Sequence, residues 1–113
     1  VFGRKKYDET YLNKVTEIAL VNRFLNKKNL DLSALVEENG ANFSGGQLQS
    51  IAIGRSILTN PSLLILDEAT NAMDEDLEKD LITSLKLNLK ETTIVMVSHN
   101  KELKNICDKI IEI

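Results

Sequence analysis

Two apolar runs, one helix's length apart, set the strictest limit on what this chain can fold into. Residues 62–66 are nearly continuous Leu and Ile and lead into Asp67-Glu68, while residues 92–98 are β-branched and apolar and lead into His99. Between them Leu77, Leu81, Leu85 and Leu89 recur at every fourth position after Asp74. Short runs without polar alternation read as strands buried on both faces, the habit of parallel sheets. Parallel strands need a crossover, and the Leu-striped helix supplies one, expected to be right-handed. The expectation is an α/β fold whose strand ends bring Asp67, Glu68 and His99 to one edge. That is the edge at which open parallel sheets hold their ligands.

Upstream, the chain reads as helical. Asp8-Glu9-Thr10 places acidic residues in the first turn of a stripe made by Leu12, Val15, Ile18 and Ala19. A second short helical segment covers 21–27. Residues 29–39 are mixed and polar and read as loop, with Glu37-Glu38-Asn39-Gly40 as a turn. Ser44-Gly45-Gly46-Gln47 then fits Ser-x-x-Gln, a capping box in which the hydroxyl accepts from the third helical amide and Gln47 reaches back. Leu48, Ile51, Ala52, Arg55 and Leu58 follow at helical spacing until Asn60-Pro61 stops the helix. After His99, residues 102–107 read as a short helix and 109–113 as a third strand. The order of three helices and then alternating strand and helix fits a parallel sheet.

With 113 residues there is room for one domain and a modest core. A net charge of -3 gives no general attraction to nucleic acid or anionic lipid. The single cysteine, Cys107, cannot close an intrachain disulfide, which fits a reducing cytosolic setting; its spacing from Leu103 and Ile106 reads as a buried helix position. No run approaches the ~20 apolar residues of a membrane span. The chain opens on Val1-Phe2-Gly3-Arg4 rather than Met and closes in Ile110-Ile111-Glu112-Ile113, as if both ends lay mid-structure, so a longer parent polypeptide is expected.

Three constellations carry chemistry. A carboxylate such as Asp67 at a strand end can order Mg²⁺, because hard cations take oxygen ligands. Its neighbour Glu68 can face the other way and polarise an attacking water as general base. The bland alternative is a solvated pair capping the next loop. Ser44, Gly45, Gly46 and Gln47 offer backbone amides at a helix start with no side chain to block an anion, which suits phosphate; an ordinary capped helix is the competing explanation. A lone histidine is more often structural than catalytic, but His99 shares a sheet edge with Asp67-Glu68, where an imidazole can hold a terminal phosphate or the attacking water. A zinc site fails for want of a His/Cys cluster, and no Gly-x-Ser-x-Gly elbow supports a serine hydrolase.

In this order the motifs resemble the nucleotide-binding domain of ABC transporters, over nearly the whole chain. Ser44 to Gln47 looks like the family signature Leu-Ser-Gly-Gly-Gln, with Phe43 in place of Leu. Leu63-Leu64-Ile65-Leu66-Asp67-Glu68-Ala69-Thr70 looks like the Walker B strand with its catalytic Glu, Asn71-Ala72-Met73-Asp74 like the D-loop, and Val97-Ser98-His99 like the switch histidine. The sequence has no Gly-x-x-x-x-Gly-Lys-Ser/Thr phosphate loop. The resemblance therefore implies a partial P-loop NTPase: a parallel sheet with a helical signature subdomain over about 1–60, and the Walker B to switch-histidine part of the catalytic core over about 61–113. The phosphate-loop strand that normally separates the strands equivalent to 94–98 and 109–113 would be missing, leaving edges that invite association.

The resemblance also implies roles. Glu68 and His99 would be catalytic, Asp67 would bind Mg²⁺, and Ser44, Gly45, Gly46, Gln47 and Asp74 would bind nucleotide. Two such domains would pair head to tail, so that the signature of one closes on ATP held by the other. An attached transmembrane domain would place the chain at the cytoplasmic face of the inner membrane and couple closure to export of an unknown substrate, with no nucleic acid involved. The 113 residues alone would hydrolyse ATP negligibly. Two other functions stay open at this point. A soluble ABC-type ATPase of DNA repair, chromosome organisation or translation is one, disfavoured by Gln47 and the lack of coiled-coil heptads. A non-catalytic module docking a membrane domain through residues 8–39 is the other.

Overall fold

Side-chain caps mark where the main helices start. The computed structural model describes residues 8–25 and 43–111. In α1 (Glu9–Ile18) the Asp8 carboxylate accepts from the Thr10 amide at 3.3 Å. A single turn, α2 (Asn22–Leu25), follows. In α3 (Gly45–Ile57) the capping box closes in both directions, Gln47 N–H to Ser44 Oγ and Ser44 N–H to Gln47 Oε1, each at 3.1 Å. In α4 (Glu75–Asn88) Asp74 accepts from the Leu77 amide at 2.7 Å. Such caps contribute about 1 kcal/mol each. Asn60 adopts the left-handed region after α3 (φ 51°), donates its N–H to Ile57 O at 3.0 Å, and hands on to Pro61.

Among the described residues the sheet has two parallel strands, β1 (Leu63–Asp67) and β2 (Thr93–Val97), in register from Leu63 opposite Thr93 to Asp67 opposite Val97. α4 is their crossover. One hydrophobic cluster joins Val15, Ile18 and Phe24 to Ile51, Ile53 and Ile57, to Leu64 and Leu66, and to Leu81, Ile82 and Leu85. Polar ties reinforce it: Tyr11 Oη donates to the C-terminal carbonyls of α3 at Ile57 and Leu58, and Ser84 Oγ donates to Ile18 O at 2.7 Å.

The structure corrects several expectations. The strands are covered on one face only: Leu64 and Leu66 are 5% and 3% exposed, whereas Leu63 and Ile65 are 52% and 64% exposed. The second face is apolar in sequence, but none of the described elements packs on it. The 109–113 strand is not formed over 109–111, where no regular structure occurs. The segment after His99 is a 3₁₀ turn (Lys101–Asn105) capped by Asn100 rather than an α-helix over 102–107. Cys107 lies just past that turn and is half-buried; Leu103 takes the buried position instead. On α4 the buried face is Glu78, Leu81, Ile82 and Leu85 rather than every fourth Leu, because steps of four over-rotate a helix by about 40° each. The 29–39 loop, the last two residues of the 21–27 helix and residues 112–113 lie outside the described residues. Among the described residues no helix is long and apolar enough to cross a membrane.

Candidate active site at the strand ends

β1 ends in a backbone reversal at Glu68. Its φ of 52° lies in the left-handed region, an arrangement costing roughly 1–3 kcal/mol for a residue with a side chain, yet its N–H still reaches Val97 O at 3.2 Å. The turn sends the Glu68 side chain toward the end of β2, where Oε1 lies 3.2 Å from His99 Nε2. The two line one cleft of about 250 Å³, together with Thr70, Glu78, Ser98 and Asn100. The His99 side chain is 90% exposed and Glu68 about half exposed, so the pair is held by backbone placement rather than by packing. By strand alternation Asp67 shares the bare face with Leu63 and Ile65, on the other side from the core. Adjacent carboxylates thus serve different sides of the edge.

The glycine turn occupies a different place. Ser44, Gly45, Gly46 and Gln47 stand against the loop 71–73. A Cβ added to Gly46 would lie 3.1 Å from Ala72 O, and one on Gly45 would lie 3.2 Å from Ala72 Cβ, so glycine is what permits the approach. Gln49 locks it, accepting from the Ala72 amide at 2.9 Å and donating to Asn71 Oδ1 at 2.6 Å. Asp74 closes the same loop as the cap of α4. The structure therefore brings Glu68 and His99 together in a cleft, and brings the turn to the loop that follows Glu68, without placing the turn in the cleft wall.

Residues 4–71, more than half of the chain, match the ABC transporter family. The chain belongs to that family. Among its ABC relatives are the ATP-dependent lipid A-core flippase of Aliivibrio fischeri, 37% identical over 106 residues, and the lactococcin-G-processing and transport ATP-binding protein LagD of Lactococcus lactis, 40% identical over 88 residues. These alignments cover 94% and 78% of this chain but 18% and 12% of those proteins, so the chain spans less than a fifth of their length. The structure of a bacterial Atm1-family ABC exporter with ATP bound superposes with a TM-score of 0.73 at 28% identity, over 95% of this chain and 18% of that one. The fold is accordingly part of an ABC ATPase domain, a P-loop NTPase sheet with its helical signature region.

Two residues that organise these loops escaped the sequence reading. Glu78 is buried (6% exposed) and accepts from Thr70 Oγ1, Ser98 Oγ and Asn100 Nδ2, all three beside the Glu68–His99 pair. Its signal was present: it lies one heptad before Leu85 and three residues before Leu81, a charge on the apolar face. Gln49 had no comparable signal, since its partners are the side chain and amide of a loop 22 and 23 residues away.

Proposed function

We propose that this chain is part of the ATP-binding and ATP-hydrolysing domain of an ABC exporter, and that Glu68 is the general base of hydrolysis. The observation that carries this reading is the Glu68–His99 contact at the carboxyl ends of parallel strands, lining a solvent-open cleft. Glu68 Oε1 accepts a proton from the attacking water, and His99, from the neighbouring strand end, orients that water or the terminal phosphate. Asp67, exposed at the end of β1, is the carboxylate offered to Mg²⁺. A cation there would be held by this one carboxylate together with phosphate oxygens and water. When bound, Mg²⁺ neutralises charge on the phosphates.

Ser44, Gly45, Gly46 and Gln47 we assign to the ATP held by a second, head-to-tail domain, and Asp74 to the same interface. The start of α3, where Ser44 and Gly45 are exposed, supports an anion contact there. A transmembrane domain on the same or a partner polypeptide would place this domain at the cytoplasmic face of the membrane. The sequence contains no Gly-x-x-x-x-Gly-Lys-Ser/Thr loop, so turnover is expected to require chain beyond these 113 residues.

The test is γ-phosphate release from Mg-ATP by the intact polypeptide, wild type against Glu68→Gln. The reading requires turnover to fall by at least about a hundredfold with ATP still bound. Unchanged turnover would leave only a structural likeness and favour a docking module.

A further inference from the structure

The His99 side chain is 90% exposed, so what aims the Glu68–His99 pair must act through the backbone on either side of it. We propose that Glu78 is the positioning residue of this site: its buried carboxylate ties together the segments that carry Glu68 and His99. The inference rests on the reading of that pair as hydrolytic.

The geometry is specific. Glu78 Oε2 accepts from the hydroxyls of Thr70 and Ser98, the latter at 3.2 Å, and Oε1 accepts from Asn100 Nδ2 at 2.7 Å. Thr70 is two residues past Glu68, while Ser98 and Asn100 flank His99 on both sides. Ser98 Oγ also accepts from the Asn100 amide at 3.1 Å, and Asn100 Oδ1 accepts from the Glu102 amide at 3.0 Å. Three donors thus converge on one carboxylate rooted in α4, whose neighbours Leu81, Ile82 and Leu85 are core. Glu78 accordingly connects the rigid part of the molecule to two loops whose working side chains are exposed.

The bond directions say what each substitution removes. Asn100 cannot turn its amide over, because its oxygen already serves Glu102, so its NH₂ must meet an oxygen of residue 78. Glu78→Gln can supply that oxygen while its own NH₂ donates to the two hydroxyls, which rotate to accept. Glu78→Ala removes the whole tie and leaves buried donors without partners. Neither change touches a group assigned to nucleotide.

The test measures kcat and KM for Mg-ATP in the intact polypeptide, per nucleotide-binding site titrated with a non-hydrolysable analogue, alongside thermal melting. Glu78→Ala is expected to lower kcat about tenfold or more and Glu78→Gln about threefold, with KM within about twofold of wild type. Unchanged kcat per competent site with a lowered melting temperature would overturn the proposal and make Glu78 a fold residue only. A raised KM with unchanged kcat would overturn it as well. Should the Ala variant not fold, the Gln variant decides by the same criterion. Glu68→Gln is run beside them: if it turns over like wild type, the hydrolytic reading fails irrespective of Glu78.

Discussion

The two faces of the small sheet carry the same kind of side chain and meet opposite fates. On one, Leu64 and Leu66 close into the cluster formed by α1, α3 and α4. On the other, Leu63, Ile65, Val95 and Val97 remain about half or more exposed. Apolar surface in such a continuous band marks a place made for contact rather than for water. The chain's sequence thus asks for a layer on the second face that the described elements do not provide. The edge that carries the candidate site has the same asymmetry: buried Glu78 and Thr70 and half-buried Ser98 line the cleft, and Asp67 stands on the bare side.

That contrast can be broken first from the covered side. Leu66→Ala is expected to destabilise the chain by about 2–5 kcal/mol in urea titration, the transfer term plus an unfilled cavity. A loss below about 1 kcal/mol would mean that the covered face is not the core. Next in size is Ser44→Ala, which removes the hydroxyl half of the capping box on α3 and should lower stability by about 1 kcal/mol. The smallest stability effect belongs to the bare face: Ile65→Thr should stay within about 0.5 kcal/mol. The same substitution should reduce self-association in sedimentation velocity, since it interrupts the exposed band. Equal losses for Leu66→Ala and Ile65→Thr would erase the distinction between the faces.

Much of this was legible beforehand, for physical reasons that can be named. The Ser44–Gln47 capping box, the stop at Asn60-Pro61 and both strands depend on local chemistry, and each stands within a residue or two of its expected place. The meeting of Glu68 with His99 follows from the parallel pairing of the two strands, which puts both carboxyl ends on one edge. The bare face was not legible, because an apolar run states only that burial suits it, not whether a covering layer is at hand. Over 109–111 the expected strand is absent for a related reason: β-branched residues favour a strand, but a strand also needs a neighbour within reach. The spacing of Glu78 from Leu81 and Leu85 marks it as a charge on the apolar face, but its place among Glu75, Asp76, Lys79 and Asp80 makes that mark easy to pass over. Its role depends on partners from two other segments, which no local pattern encodes.

The fit of Gly46 beneath Ala72 has a mechanical meaning. With a methyl group at Gly45 or Gly46 meeting Ala72 at 3.2 or 3.1 Å and Gln49 bonded to the same loop, the start of α3 and the stretch 71–73 are closely seated on each other. Glu68 lies close to one end of this contact, and the exposed Ser44 and Gly45 lie at the other. A displacement of the turn would therefore press on the loop that follows Glu68, through the glycine contacts and through Gln49 together.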